Sequence, residues 1–263
     1  MMTIQFNGTP IHVGSLESGP FNALLEEYST RKKVIVVDEN THDCCLEYLL
    51  TAFPSLEDAE VMLLPAGEEN KALEVCYQVW SAMLEYQINR TDLVINLGGG
   101  VVTDLGGFIA SVYKRGVDFI HIPTSLMGMV DAAIGGKNGV DLNGLKNIIG
   151  TITQPQAIFV DSGFLETLPA EEIFNGYAEM LKHALILDPA YWDQLKVLNT
   201  EEELIQLTNI IRSIELKKQV VEADPTEKGQ RKLLNFGHSL GHALESYFLS
   251  KQPIAHGHAV ALG

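Results

Sequence analysis

The sequence predicts an α/β domain with a mainly parallel sheet, followed by an all-α domain. In the first half of the chain, apolar runs rich in β-branched residues alternate with segments of helical periodicity. Within that half, three consecutive glycines from Gly98 to Gly100 separate an apolar run from a helical segment, as in the strand-to-helix turns of parallel sheets. Beyond about residue 161 the alternation stops, and only long helical patterns follow. We therefore expect two domains, at residues 1–160 and 161–263.

Composition and charge limit the classes of protein to which the chain can belong. The 263 residues are 46% hydrophobic and 20% charged, which is typical of a globular protein with sizeable cores. The net charge of −16 argues against nucleic acid and anionic membranes as partners. We see no apolar run of the roughly 18 residues that a membrane span requires and no secretory signal. The three cysteines do not form a disulfide framework, so we predict a cytoplasmic protein.

The elements of the first domain follow from its apolar patterns. Short β-branched runs predict strands, and apolar residues at spacings of three and four predict the helices between them. The predicted strands cover residues 33–38, 59–64, 93–97 and 119–123. The predicted helices cover residues 42–52 and 71–86, and a third helix begins at Leu105.

Polar and glycine residues follow the predicted strands, at the point where each strand ends. Asp38, Glu68, the glycine turn, and Thr124 with Ser125 all lie at such ends. In parallel sheets, ligands bind outside the carboxyl ends of the strands. The agreement of several strand ends is better evidence for a binding site than any one of them.

The glycine turn itself has two possible interpretations. A strand, a glycine turn and a helix present backbone N–H groups and a helix N-terminus to a phosphate group, so the turn fits dinucleotide binding. The turn lacks the GxGxxG spacing of the usual dinucleotide fingerprint. Considered alone, it fits equally well a tight turn where a helix packs close to a strand.

The stretch at residues 125–150 is rich in glycine but more apolar than a flexible loop. We interpret it as an ordered binding loop, with an irregular connection as the alternative. Its polar side chains include Asp131, Lys137, Asn138, Lys146 and Asn147.

The second domain is predicted to consist of helices at residues 171–187, 190–198, 201–222 and 232–248. On the last of these, Arg231, Asn235, His238, His242 and Glu245 follow spacings of four, three, four and three, and would form one stripe. A buried stripe with so many titratable groups requires a function, and the alternative is a solvated helix face. The last residues, 259–262, resemble the first turn of a helix that has been cut off, so we expect a partial chain.

Two histidines one turn apart, such as His238 and His242, can bind a divalent metal with a third ligand from elsewhere. His256, His258 and Glu179 are the candidates for that ligand, and spacing alone leaves the choice among the histidines open. A zinc ion with an open coordination position polarises a hydroxyl or carbonyl group. Together with a nicotinamide cofactor, such a metal suggests alcohol oxidation.

With these residues considered together, the sequence resembles the 3-dehydroquinate synthase family of sugar-phosphate cyclases, from about Asp38 to Gly263. The resemblance rests on several sequence motifs in the same order as in that family. These motifs start at Gly98 (GGGVVTD), Pro123 (PTSL), Met129 (MVD), Ile134 (IGGK), Gly144 (GLKN), Phe164 (FLETLP), Ala178 (AE), Asn235 (NFGHSLGH) and His256 (HG).

The resemblance implies an enzyme that uses NAD and a catalytic divalent metal, Zn²⁺ or Co²⁺. Its small-molecule substrate would be a phosphorylated sugar acid, 3-deoxy-D-arabino-heptulosonate 7-phosphate, and its products 3-dehydroquinate and phosphate in the shikimate pathway. NAD would transiently oxidise one hydroxyl, phosphate would be eliminated, and hydride would return before ring opening and aldol closure. The family also implies a homodimer.

The resemblance also implies a role for individual residues. The metal ligands would be Glu179, His238 and His256. The residues that hold NAD would be Asp38, Glu68, Lys71, Gly99, Gly100, Asp104, Thr124 and Ser125, with Thr167 and Leu168 nearby. The catalytic residues around the hydroxyl and carboxylate end of the substrate would be Asp131, Lys182, Lys217, Arg231 and Asn235. The residues that face the phosphate would be Lys137, Lys146, Asn147 and the catalytic His242, with Arg115 from a second subunit.

The sequence departs from the family at two points. His258 stands where the family usually has glutamate. Family chains also continue for several helices and supply a further phosphate-binding lysine, so we expect weak or no turnover from a polypeptide that ends at Gly263.

Three other functions compete with the synthase. The first is another sugar-phosphate cyclase. This function is disfavoured by Lys217, Arg231 and His242, because these residues suit a phosphorylated substrate that carries a carboxylate. The second is a metal-dependent polyol dehydrogenase, which would accumulate NADH. The third is a binding protein without catalysis.

Overall fold

The computed structural model describes residues 1–143, 145–248 and 254–263, so Gly144 of the GLKN motif lies outside the described residues. The chain forms two compact units. The first unit contains Met1–Thr124 and Gly136–Phe164, and the second contains Ser125–Gly135 and Leu165–Gly263. The domain boundary expected between residues 160 and 161 stays a prediction. No helix of the described residues is both long and apolar enough to cross a membrane.

The first unit contains all the strands that the structure describes. They are β1 (Met2–Phe6), β2 (Thr9–Val13), β3 (Lys33–Asp38), β4 (Glu60–Leu64), β5 (Leu93–Gly98), β6 (Asp118–Pro123), β7 (Lys137–Leu142), β8 (Leu145–Ile152) and β9 (Ala157–Val160). Its helices are α1 (Pro20–Glu27), α2 (Glu39–Thr41), α3 (Glu47–Ala52), α4 (Leu73–Glu85) and α5 (Gly100–Val112), and a π-helical turn, His42–Leu46, joins α2 to α3.

Seven strands form one sheet in the order β1-β2-β9-β6-β5-β3-β4. All neighbours in it are parallel except β1 and β2. The prediction of a mainly parallel sheet is therefore confirmed, and the predicted strands are confirmed as β3, β4, β5 and β6. Strand β5 lies inside the sheet between β6 and β3, and all six of its residues are buried, as expected of a parallel strand that is covered on both faces.

The chain leaves β3 in one direction to form β4 and then returns to form β5 on the other side of β3. This reversal of strand order creates a crevice between the carboxyl ends of β3 and β5. Asp38 ends β3, and Gly98 ends β5 immediately before α5. The sheet topology therefore positions the glycine turn at the place where such folds bind ligands.

One prediction for the first unit is wrong, and another leaves out two strands. Helix α5 begins at Gly100 rather than Leu105, because Gly99 is already its extended N-cap residue and the Thr103 amide donates to the Gly99 carbonyl at 3.0 Å. The binding loop expected at residues 125–150 contains an antiparallel hairpin of β7 and β8. Its strands fit together because Gly139 lies opposite Gly150, where side chains would meet the facing backbone.

The second unit is helical, as predicted. Its helices are α6 (Ala170–Leu187), α7 (Pro189–Leu195), α8 (Glu201–Leu204), α9 (Leu207–Ala223), α10 (His238–Phe248) and α11 (His256–Leu262). A π-helical turn, Gly128–Ala132, also belongs to this unit, and a 3₁₀ segment, Gln230–Asn235, precedes α10.

Two of the long helices predicted for this unit are interrupted. The helix expected at 201–222 is divided into α8 and α9, where the Asn209 side-chain amide donates to the Glu203 carbonyl at 2.9 Å and caps the end of α8. The helix expected at 232–248 begins only at His238. Gly237 interrupts it with a φ of +81°, and a Cβ at this position would lie 2.5 Å from the Val260 carbonyl oxygen of α11. Only glycine tolerates both constraints.

Candidate functional site

Three elements of the second unit bring together a carboxylate and two imidazoles. Glu179 lies on α6, His238 begins α10, and His256 begins α11. The Glu179 Oε1 atom lies 3.8 Å from Nε2 of His238 and 3.8 Å from Nε2 of His256. The three ligand atoms lie within 4.8 Å of one another, the separation expected of groups that could hold one metal ion.

Local hydrogen bonds hold these helices in place. The Asn175 Oδ1 atom on α6 accepts from the Gly257 amide in the first turn of α11 at 2.9 Å. Gly237 allows the start of α10 to approach α11 closely. The short 3₁₀ segment and the glycine therefore direct His238 toward Glu179, which a continuous helix from residue 232 would not do.

Both histidines have an acceptor at the ring nitrogen that faces away from Glu179. Nδ1 of His238 lies 3.2 Å from the Phe236 carbonyl oxygen, and Nδ1 of His256 lies 3.1 Å from Oε1 of Glu245. A neutral imidazole that donates from Nδ1 has its lone pair on Nε2. Burial, supported by the Lys182 ammonium, lowers the pKa of His238, so this ring is held in the neutral form that binds metals.

Glu179 provides the test of whether a metal fits here. Its side chain is fully buried, and neither carboxylate oxygen accepts a hydrogen bond from the described residues, although Lys182 forms an ion pair with it. Lys182 pairs with Oε2, whereas Oε1 faces the two Nε2 atoms, and this second buried oxygen is costly without a further cation to satisfy it. One carboxylate and two imidazoles are a donor set of catalytic zinc sites, so the residues fit a divalent ion.

A second cluster lies beside this triad within the same unit. Lys217 Nζ lies 2.6 Å from Oδ1 of Asp131 and donates to the Asp131 carbonyl at 2.5 Å. His183 Nε2 lies 3.4 Å from the same carboxylate, and Lys182 joins this cluster to Glu179. Burial alone would raise the pKa of the Asp131 carboxyl, but the Lys217 and Lys182 ammonium groups outweigh it and hold that pKa well below its usual range.

The other predicted catalytic residues lie on the 3₁₀ segment and on α10. The Arg231 guanidinium is buried and donates to the carbonyls of Pro225 and Gly135, at 2.8 and 3.4 Å. Asn235 is exposed, and its amide donates to Glu227 Oε1 at 2.6 Å. The predicted stripe on one helix therefore holds only for His238, His242 and Glu245. The His242 ring lies 5.3 Å from that of His238 and 5.9 Å from that of His256, between centroids.

In the first unit, the residues expected to hold a dinucleotide meet at three neighbouring strand ends. Asp38 ends β3, Gly99 and Gly100 follow β5, and Thr124 follows β6 with its amide bonded to the Gly98 carbonyl at 3.0 Å. Among the described residues, no side chain caps the N-terminus of α5. Its first N–H groups therefore fit a pyrophosphate.

Lys71 connects three of the predicted residues of this unit. Its buried ammonium donates to Asp104 Oδ2 and Asn147 Oδ1, each at 2.6 Å. Burial would lower the pKa of Lys71, but the Asp104 and Glu68 carboxylates outweigh it and raise that pKa. Lys146 Nζ lies 3.4 Å from Glu68 Oε1. The structure thus groups Lys146 and Asn147, expected at the substrate phosphate, with residues expected at the dinucleotide.

Other predicted residues lie apart from these groups or in the other unit. Arg115 is exposed at the far end of α5 from Gly99, about 20 Å along the helix at 1.5 Å per residue. Lys137 is exposed at the start of β7. Ser125, Thr167 and Leu168 belong to the second unit, and Ser125 Oγ accepts from the Gly128 amide at 3.1 Å. His258 is exposed on α11, outside the metal-ligand set.

Sequence reasoning did not assign four residues that contact the predicted set. Glu227 accepts from Asn235, and His183 contacts Asp131. Asn175 contacts the start of α11, and Glu245 contacts His256. The spacing of Glu245 from His242 was a usable signal, whereas the others become visible only when distant helices are brought together.

Comparison with known proteins agrees with this fold. The family model of the N-terminal part of 3-dehydroquinate synthase matches residues 61–175, and that of the C-terminal part matches residues 176–263. A 3-dehydroquinate synthase of Parabacteroides distasonis is 43% identical over 88% of this chain and 66% of its own. The same enzyme of Pyrococcus furiosus is 40% identical over 91% of this chain and 70% of its own.

The chain is also similar to a solved structure that was determined with a cofactor and a metal ion bound. The 2-epi-5-epi-valiolone synthase of Streptomyces hygroscopicus subsp. jinggangensis, determined with NAD⁺ and Zn²⁺ bound, has a TM-score of 0.84 and 32% identity, covering 99% of this chain and 73% of that one. The chain spans 57% to 66% of the length of four curated relatives that are 43% to 45% identical to it. Two adjacent family models and relatives across most of the sequence lead to one assignment: the chain belongs to the 3-dehydroquinate synthase family.

Proposed function

We propose that the protein acts as a 3-dehydroquinate synthase, which converts 3-deoxy-D-arabino-heptulosonate 7-phosphate to 3-dehydroquinate and phosphate. The observation that carries this proposal is the convergence of Glu179, His238 and His256 next to paired, buried lysines. In this proposal the three residues hold a zinc or cobalt ion, which supplies Lewis-acid polarisation of a substrate oxygen. The strand ends of the first unit hold NAD, which supplies reversible acceptance of hydride.

The chain's own residues in the second unit suit an anionic substrate. Lys182, Lys217 and Arg231 are buried, and the carboxylates among them are Asp131 and Glu179. Lys182 and Lys217 pair with Glu179 and Asp131, whereas the Arg231 guanidinium donates to two backbone carbonyls. Lysine and arginine in this setting bind a substrate carboxylate and orient it.

Asp131 and His242 supply groups that accept or move protons. Because the pKa of Asp131 is held low by Lys217 and Lys182, its carboxylate stays ionised and accepts a hydrogen bond from a substrate hydroxyl. His242 lies next to both metal-binding rings and carries an imidazole, the side chain best suited to proton transfer near neutral pH. In this proposal the substrate phosphate is bound by Lys137, Lys146 and Asn147, together with Arg115 from a second subunit.

A second candidate is another sugar-phosphate cyclase, because the 2-epi-5-epi-valiolone synthase matches 99% of the chain. The two functions differ in their substrate, since only the heptulosonate carries a carboxylate for Lys217 and Arg231. The homodimer, the cytoplasmic location and the site roles stay predictions.

The test measures phosphate release by the purified full-length protein with NAD⁺ and Zn²⁺. We expect release from the heptulosonate phosphate without accumulation of NADH, and a decrease of about 100-fold or more in Lys217→Met, since a buried charge that contacts the reacting substrate is lost. The matched control is Lys218→Met, which removes the neighbouring, partly exposed lysine and should leave the rate unchanged. Release only from sedoheptulose 7-phosphate would favour the other cyclase, and NADH accumulation would favour a polyol dehydrogenase.

A further inference from the structure

The contact between Glu245 and His256 lies beside the proposed metal site and has no role in the function described so far. Oε1 of Glu245 lies 3.1 Å from Nδ1 of His256, and both side chains are largely shielded, with 11% and 25% of their surfaces exposed. Glu245 lies on α10 and His256 on α11, so the contact joins two helices of the second unit.

The chemistry of the two groups determines the direction of this hydrogen bond. An ionised carboxylate only accepts, so Nδ1 of His256 must carry the proton. The neutral ring then has its lone pair on Nε2, the atom that lies 3.8 Å from Glu179 Oε1. In the other tautomer, the lone pair would face Glu245 and a proton would face the metal-ligand cluster.

His238 has the same arrangement, with a different partner. Its Nδ1 atom is 3.2 Å from the Phe236 carbonyl oxygen, an acceptor that no substitution of a side chain removes. Each imidazole of the proposed triad therefore has an acceptor at Nδ1, one from the backbone and one from a side chain. Histidines that bind metals commonly use such an acceptor to fix the ring and its tautomer.

We propose that Glu245 is a positioning residue, whose carboxylate holds His256 in the tautomer and orientation that present Nε2 to a divalent cation. This inference rests on the metal site of the proposed function. Helix α10 then serves the site twice, with His238 as a ligand and with Glu245, two turns later on the same face, as the group that orients the ligand from α11.

The main competing role for Glu245 is that of a ligand. His242, Glu245 and His256 also have ligand atoms within 4.8 Å of one another. In that set His256 would bind through Nδ1, and Glu179 and His238 would be dispensable. The two roles therefore predict opposite effects of substitutions at His238 and His242.

The test measures zinc affinity of chelator-stripped protein by competition with a chromogenic chelator. We expect Glu245→Ala to weaken Zn²⁺ binding about 10- to 100-fold, the loss typical of a removed acceptor behind a metal-binding histidine. Glu245→Gln should lose less, because its amide oxygen still accepts from Nδ1. Glu202→Gln, on the exposed first turn of α8, removes the same charge away from the site and should bind like the wild type.

A second measurement reads the tautomer without metal. In protein labelled with ¹⁵N-histidine, the ring-nitrogen shifts of His256, assigned with His256→Asn, should show a protonated Nδ1 in the wild type and a mixture of tautomers in Glu245→Ala. This spectrum decides the inference even if the wild type binds no zinc, an outcome that would count against the proposed function instead. Unchanged affinity and tautomer in Glu245→Ala would overturn the positioning role. So would zinc binding that survives His238→Ala but not His242→Ala.

Discussion

At the scale of single residues, His121 shows how burial ties the stability of the first unit to pH. Its ring lies on β6 with 2% of its surface exposed, and Nδ1 lies 3.2 Å from the Asn96 amide nitrogen. Burial lowers the pKa of His121 to about 3. The folded protein therefore keeps this ring neutral at pH values where the unfolded chain, with an ordinary pKa of about 6.5, becomes protonated.

We expect His121 to destabilise the fold as the pH falls from 6.5 toward 3. The unfolded state binds a proton that the folded state does not, so the free energy of unfolding decreases by about 1.4 kcal/mol per pH unit. Urea denaturation at pH 7, 6 and 5 measures this slope. His121→Gln removes the titrating group and should flatten the slope by that amount. Equal slopes for His121→Gln and the wild type would contradict the prediction.

The residue types of the second-unit site could be predicted from the sequence, but not their pairing. The spacing from His238 to Glu245 indicated a functional face, and α10 presents those residues together. The choice between His256 and His258 depends on how α11 packs. The two residues are two positions apart on the helix and therefore lie on different faces, so that the His256 ring faces Glu179 and the His258 ring faces solvent. No local pattern encodes that rotation.

At the scale of elements, the hairpin of β7 and β8 packs on α5 through a close contact. The Asn138 amide donates to the carbonyls of Gly136 and Thr153, each at 3.0 Å, which fixes its side chain. A Cβ on Gly107 of α5 would overlap the Asn138 Oδ1 atom. Gly107 is thus required by the approach of the hairpin, although glycine inside a helix is usually unfavourable.

We expect Gly107→Ala to lower the free energy of unfolding by about 1–3 kcal/mol, the usual cost of overpacking. In a helix without this contact, the same change would stabilise by about 1 kcal/mol. Urea denaturation of Gly107→Ala, Asn138→Ala and the double variant measures the coupling between the two positions. The double variant should be more stable than the sum of the single effects indicates, since the smaller side chain removes the overlap. Additive effects would show that the contact is unimportant.

A strand or helix could be predicted where a single factor, such as burial of both faces, determines its residue pattern. Strand β5 is apolar except for Asn96, because both of its faces are buried, and a run of this kind clearly predicts a strand. The hairpin was missed because five of the eight residues of β8 are exposed and because the approach of β8 to β7 depends on Gly139 and Gly150. The break before α10 was missed because its cause, the approach of α11 to Gly237, is a contact between segments distant in sequence.

At the scale of the whole molecule, the proposed metal ligands all belong to the second unit, whereas most of the residues proposed to hold NAD belong to the first. Ligands that bind only the folded state slow the local opening of the elements they contact. We expect Zn²⁺ to slow amide hydrogen exchange in α6, α10 and α11 of the chelator-stripped protein. NAD⁺ should slow exchange in the first turns of α5.

Hydrogen exchange with peptide-level mass spectrometry measures these effects for each ligand separately. Glu179→Gln is the control for zinc, and its pattern should not respond to the metal. If Zn²⁺ slowed exchange only outside the second unit, the assignment of Glu179, His238 and His256 as ligands would be wrong.

The sequence carries no local signal that groups Ser125–Gly135 with the second unit. The change near residue 161 from alternating strands and helices to helices alone predicts two consecutive domains. Such a division would place Ser125–Gly135 within the first domain. The structure groups this segment with the second unit, where Lys217 pairs with Asp131. The segment joins that unit through buried charge and packing, neither of which changes its local pattern.

The interleaved segment has a consequence for the order in which the chain is made. Asp131 leaves the ribosome with the first unit, but Lys217 follows 86 residues later, a delay of about 4 to 17 s at bacterial and eukaryotic rates of synthesis. During this delay the Asp131 carboxylate has none of the partners that α9 will supply. The first unit can form its sheet while translation continues, whereas the helical unit must wait for α9 before it can close around a segment made much earlier.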